Sequence, residues 1–219
     1  MDIITVETST NPKDIKWLVE SWQRFGIVGT ILGRGLKWEG FSTKVKILKD
    51  YILQSDSDII LFTDSRDVVC AADELTIHQA FLSTGANILF GAETNLYPNK
   101  SLIHGNKESK YRYLNSGLFV GYTSYLKELF STIEVTAGMD DQEALQIKYI
   151  EGFPITLDSG CVVFQNLWDE HGGRNCDFDI LYQPDYIENL HTNTRPTIFH
   201  APGPTTVLSQ AYKVIMGNY

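Results

Sequence analysis

Cysteine is scarce: the 219 residues hold three, Cys70, Cys161 and Cys176. They are too few and too scattered for a disulfide framework or a zinc knuckle, and fit a reducing compartment with room for one bridge at most. Long apolar runs are missing as well, so no membrane span is expected. The first ten residues, MDIITVETST, have neither a basic n-region nor an apolar h-region, so no signal peptide is expected. Basic charge is in deficit, with 18 Lys and Arg against 27 Asp and Glu and a net charge of −9. That argues against nucleic acid as the main partner, because a phosphate backbone is met by a Lys/Arg surplus. An acidic chain that handles a phosphorylated ligand needs local cations or a metal to offset like charge. Repeats, low-complexity segments and linkers are also lacking.

A hydrophobic share of 43% and a charged share of 21% are ordinary for a soluble globular protein. The length suits one large domain over residues 1–219. Ile3–Val6 reads as a strand, and TSTNPKD as a turn and capping cluster. A helix follows with Trp17, Leu18, Val19, Trp22 and Phe25 on its apolar face. GIVGTILG reads as a second strand, GRGLKWEGFST as a glycine-rich loop and KVKILKDYIL as a basic amphipathic helix. Then come a strand over Ile59–Thr63, a helix near Ala72–Leu82 and a strand NILFGAE. The second half is more broken: a strand YLNSGLFVGY, helices SYLKELFSTI and DQEALQIKYI, and short strands around ITLD, CVVFQN and TIFH. Alternating strands and helices predict an α/β domain with a largely parallel sheet.

The stretch SDIILFTDSRDVV, residues 57–69, ends an apolar run in Asp64 and Asp67. Ligands in open α/β sheets sit outside the carboxyl ends of strands, and two carboxylates there could share Mg²⁺ or Mn²⁺. A solvated Asx turn explains the same residues equally well. His200 closes the apolar TIFH just before Pro202 and Gly203; an imidazole added to an Asp pair favours Mn²⁺ over Ca²⁺, while a lone structural histidine is the commoner case. Asp140 and Asp141 open a helix, where one of them is expected to cap; the other could face a reacting carbon. Asn115, Ser116 and Gly117 read as turn chemistry at a strand start. Glu93 and Tyr97 could line a polar pocket or a plain loop, and Trp38 could be a core anchor or a platform for a flat base.

Taken in order, ITVET, LKWEG, STKVKILKDYI, ILFTDSRDVV, ILFGAE, YLNSGLFVGY, DDQ, LDSGCVVFQNL and HAPGPT resemble the glycosyltransferase domain of the collagen lysyl hydroxylases. The resemblance runs over nearly the whole chain. It implies a GT-A-like, Rossmann-like α/β fold with a mostly parallel central sheet flanked by helices. It implies a metal-dependent transfer of a hexose, glucose before galactose, from a UDP-sugar to a hydroxylysine-linked acceptor such as a collagen-like peptide. Carried over residue by residue, it makes Asp64, Asp67 and His200 the ligands of Mn²⁺ or Mg²⁺. Val6, Thr8, Trp38 and Lys44, with Ser65, Arg66 and Gly203, would hold the uridine and diphosphate. Asp140 and Asp141 would face the reacting sugar, and Glu93 and Asn115 would line the sugar and acceptor cavity.

The chain departs from the family pattern in places. Arg66 stands where the family has an aromatic residue, which changes base stacking or brings a guanidinium to the phosphates. Pro202 stiffens the HAPGPT loop and removes a backbone donor. The acidic run is only a pair, the glycine-rich loop is short, and Tyr97 replaces a tryptophan. The hydroxylase portion is absent, so a stand-alone enzyme or an excised domain is expected. It would be cytoplasmic if microbial or viral, and in the endoplasmic reticulum lumen if taken from a secreted parent. A homo-oligomer is compatible with the sequence. Two other readings compete: a non-catalytic nucleotide-sugar-binding module of the same fold, and a haloacid-dehalogenase-type phosphohydrolase, whose D-x-D spacing this chain does not have.

Overall fold

The computed structural model describes residues 1–167, 179–203 and 207–217; Cys176, Pro204 and Thr205 lie outside them. In chain order the first elements are β1 (Asp2–Val6), α1 (Lys16–Phe25), β2 (Gly29–Leu32), α2 (Phe41–Gln54), β3 (Ile59–Thr63), β4 (Val68–Cys70), α3 (Glu74–Ser83), β5 (Ile88–Glu93) and β6 (Tyr113–Tyr122). There follow α4 (Thr123–Ser131), α5 (Asp141–Ile150), β7 (Thr156–Leu157), β8 (Phe164–Asn166), β9 (Ile180–Tyr182), β10 (Ile187–Asn189), β11 (Ile198–His200) and α6 (Leu208–Met216).

The main sheet has the order β2-β1-β3-β6-β5-β7. All its strands run one way except β6, which is antiparallel to both β3 and β5. Its central strands β3, β5 and β6 are buried on both faces, as expected when crossover helices cover them. Side chains alternate along each strand. Thus Ile3, Leu61 and Val120 pack with Leu18 and Trp22 of α1 and Ile77 and Phe81 of α3. On the other face Ile4, Phe62 and Phe119 pack with Val45 and Leu48 of α2 and Leu126 of α4.

A second, three-stranded sheet has the order β4-β11-β8. It is roofed by α6, whose Leu208, Ala211 and Val214 pack on Val69 and Phe199. β9 and β10 form a separate antiparallel pair. The sequence reading did not foresee α6, β4 or this pair. It drew the second strand too long, because Gly26, at φ 66°, caps the end of α1. It drew the glycine-rich loop too long as well, because α2 already begins at Phe41. No described helix is long and apolar enough to cross a membrane.

Candidate active site

Asp64 follows the last residue of β3 in the main sheet, and Asp67 precedes the first residue of β4 in the small one. Ser65 and Arg66 are the whole link between the two sheets at this point. His200 ends β11, facing Val68 of β4 and Asn166 of β8 in register. The D-x-x-D therefore crosses a seam, and His200 meets it from the small sheet.

The carboxylates and the imidazole converge, their ligand atoms all within 4.8 Å of one another. His200 Nε2 lies 3.5 Å from Asp67 Oδ2 and 3.7 Å from Asp64 Oδ2. It is buried, with no hydrogen-bond partner at normal distance among the described residues. Its other ring nitrogen, Nδ1, lies 2.9 Å from Asn166 Oδ1, while Asn166 Nδ2 donates to the Ala92 carbonyl at 3.0 Å. With the amide oriented in this way, Nδ1–H donates to Asn166 and Nε2 is aimed at the two acids, which favour a proton on it until a cation takes that place. Fixing the tautomer through the second ring nitrogen is how metal-binding histidines are held. Two carboxylates and an imidazole nitrogen converging in this way form a donor set that a divalent cation would join in place of the Nε2 proton. The residues present fit Mn²⁺ or Mg²⁺. Burial pushes the His200 pKa down, but the neighbouring Asp67 and Asp64 outweigh it and the value is raised. For Asp67 burial acts upward, yet the charges of His200 and Lys44 leave it lowered.

Gly117 forms the wall of this cluster. A Cβ there would lie 2.4 Å from His200 Cε1 and 2.5 Å from Asp64 Oδ2. Asn115, Ser116 and Gly117 lie inside β6, whose bounds match the expected strand YLNSGLFVGY; the turn chemistry read at its start is not realised. The pairing of β6 with β5 jumps from Phe119–Phe90 to Asn115–Gly91, so Ser116, Gly117 and Leu118 bulge away from β5. Such bulges re-aim side chains near functional sites. Here the bulge leaves the Gly117 carbonyl to accept from Asp64 N at 2.7 Å.

Two cavities adjoin the cluster and share Phe41, Lys44, Asp64 and Asp67. One, of about 390 Å³, is lined by Val6, Glu7, Thr8, Trp38, Ser65 and Arg66. The other, of about 440 Å³, is lined by Glu93, Asn115, Asp140, Asp141, Gln142, His200, Pro202 and Gly203 among others. All fourteen residues that the resemblance assigns to the site thus border one continuous region. Lys44, 5% exposed, stands at the junction, its Nζ 2.6 Å from Asp64 and 2.8 Å from Asp141. Burial lowers its pKa, but these two acids outweigh that and raise it.

In the larger cavity Asp140 is the N-cap of α5, accepting from Glu143 N at 2.9 Å. Asp141 instead turns inward to Lys44 and to Ser116 Oγ at 2.8 Å. Glu93 accepts from Asn115 Nδ2 at 3.1 Å and Gln142 Nε2 at 2.9 Å. Burial pushes its carboxyl up to about 7 against the lowering effect of those two bonds. Gln142 also donates to the Tyr97 carbonyl at 2.8 Å, which anchors the loop after β5. Sequence reasoning missed Asn166, Gln142 and Glu7. Asn166 follows the apolar CVVF run in the same way as Asp64 follows its own, and that was the available signal.

The description "PLOD GT domain" matches residues 1–219. A multifunctional procollagen lysine hydroxylase and glycosyltransferase of Caenorhabditis elegans is 32% identical over 240 residues, covering 99% of this chain and 32% of the relative. A procollagen-lysine,2-oxoglutarate 5-dioxygenase 2 of Mus musculus is 31% identical over 242 residues, covering 99% and 31%. The chain thus spans about a third of the length of the curated relatives it matches. Among solved structures, an active-site mutant of LgtC aligns with a TM-score of 0.52 at 14% identity, covering 100% of this chain and 96% of that one. The galactosyltransferase LgtC with donor and acceptor sugar analogs aligns at 0.50 and 17%, covering 93% and 88%. At such identities the likeness is one of fold, the GT-A glycosyltransferase fold. With its whole length matched, the chain belongs to the PLOD GT domain family.

Proposed function

We propose that the chain is a metal-dependent hexosyltransferase, moving glucose in preference to galactose from a UDP-sugar to a hydroxylysine-linked or related acceptor. One observation carries this reading: two cavities meet at Asp64 and Asp67, and the ligand atoms of these two acids and His200 lie within 4.8 Å of one another. The smaller cavity, with an exposed Trp38, suits a nucleoside, and the larger a hexose and its acceptor.

Asp64, Asp67 and His200 would hold Mn²⁺ or Mg²⁺, which when bound offsets the negative charge that develops on a departing diphosphate. Lys44 adds a fixed positive charge at the same junction. Its pairing with Asp141 sets that carboxylate toward the larger cavity, where it can stabilise positive charge growing at the sugar carbon. Glu93 and Asn115, tied together, supply hydrogen-bond groups to sugar hydroxyls. Gln142 keeps the loop carrying Tyr97 against that cavity.

The test is UDP release from a panel of UDP-sugars with Mn²⁺, with and without a galactosyl-hydroxylysine peptide. Peptide-stimulated release from UDP-glucose is expected. Asp64→Ala should lose metal-dependent UDP binding, and Asp141→Ala should keep it while losing turnover. Binding of UDP without release from any donor would identify a non-catalytic binding module. Absence of both binding and release would overturn the reading.

A further inference from the structure

The connection between β5 and β6, residues 94–112, is basic in an acidic chain. It carries Lys100, Lys107, Lys110 and Arg112 against Glu108 alone. Side chains fix its course. The Tyr97 carbonyl accepts from Gln142 Nε2 and Gln146 Nε2, both at 2.8 Å. Asn99 Nδ2 donates to Glu143 Oε1 at 2.8 Å, and Ser101 N donates to Asn99 Oδ1 at 3.0 Å. His104 Nδ1 donates to the Leu102 carbonyl at 2.6 Å, and Nε2 accepts from Leu114 N at 2.9 Å. Between these ties stands Lys100, exposed. Its Nζ donates to Asn95 Oδ1 at 2.9 Å, and Asn95 lines the larger cavity. Among the described residues no carboxylate pairs with it.

The charge of Lys100 reaches that cavity. Burial raises the Glu93 carboxyl, and Lys100 is among the influences that lower it. Besides the candidate metal ligands, Glu93, Asp140 and Asp141 line the same space. Lys44, the cation among them, is already paired with Asp64 and Asp141. A carboxylate carried in by an acceptor is therefore repelled unless a free cation stands at the rim. Lys100 does not line the smaller cavity, so it is not placed for the nucleoside end of a donor. Resting on the hexosyltransferase reading above, we infer that Lys100 sets acceptor specificity, pairing with a carboxylate beside the group that receives the sugar. The preferred acceptor is then a peptide with an acidic residue flanking the modified one. An exposed lysine pair is weak when both partners are mobile; here the fixed backbone and Asn95 restrict the ammonium before the acceptor arrives.

Initial rates on the full chain with UDP-glucose and Mn²⁺ test the assignment. The acceptors are galactosyl-hydroxylysine peptides that differ only in Glu, Gln or Lys at the flanking positions. Wild type should favour Glu over Gln about fivefold in kcat/KM, carried by KM, the upper end for an exposed ion pair. That preference should shrink toward unity as salt rises from about 0.05 M to about 0.5 M. Lys100→Gln should abolish it, Lys100→Arg should keep it, and Lys100→Glu should favour the Lys peptide. Lys107→Gln, an equal loss of charge in the same connection, should leave it in place. Equal rates for Glu and Gln peptides in the wild type would overturn the inference while leaving hexosyl transfer intact. So would a preference that survives Lys100→Gln, or one that Lys107→Gln erases as fully. If no peptide is turned over, the hexosyltransferase reading itself fails and the inference falls with it.

Discussion

At the scale of single residues, the site depends on which atom of each side chain is already engaged. Asn166 settles His200 by accepting a hydrogen bond from Nδ1–H. Replacing it with alanine should lower Mn²⁺ affinity about 10–100-fold while the far-ultraviolet dichroism stays the same; unchanged affinity would show that the tautomer is set elsewhere. Glu93 makes a prediction in pH. Its carboxyl is raised from 4.5 to about 7 in the fold, so between those values the folded protein holds a proton that the unfolded chain has lost. The stability from Glu93 is therefore complete below pH 4.5 and fades as pH rises through about 7. In metal-free protein, urea unfolding should find Glu93→Gln close to wild type at pH 4.5 and more stable at pH 8, by up to about 3 kcal/mol. A difference that does not vary with pH would sink this account. Asp64 and Asp67 were legible in the sequence as a D-x-x-D pair after an apolar run, and His200 because it ends one. Gly117 and Glu7 were not: a glycine after Asn-Ser reads as a turn, and Glu7 acquires its role only when Arg66, 59 positions away, folds onto it.

At the scale of elements, strand and helix types were legible wherever an apolar run or an apolar face was long, as in β3, β6 and α5. The bulge in β6 was not, because it arises from a mismatch with β5 that no local pattern records. α6 owes its place to packing on a sheet assembled from three distant segments. The start of α5 combines a capping role with a site role, and these can be separated. Asp140→Ala should cost about 1 kcal/mol of stability, whereas Asp140→Ser should recover most of that, as measured by denaturant midpoint. If turnover falls in both variants alike, Asp140 also faces the reacting sugar. If serine restores turnover along with stability, its contribution is to hold the helix start that aims Asp141.

At the scale of the whole molecule, the candidate ligands come from two sheets joined at this place only by Ser65 and Arg66. A cation bound there is held by β3 of one sheet and by β4 and β11 of the other. At a concentration one hundred times its Kd, binding to the folded state alone adds about 2.7 kcal/mol. For a chain of this length that is a rise in Tm of roughly 5–11 °C, which Asp64→Ala should abolish. A Tm indifferent to Mn²⁺ would mean that the three side chains bind no cation. The seam then has a mechanical meaning: the ion works as a rivet, and the protein's resistance to heat or protease becomes a gauge of how fully it is loaded.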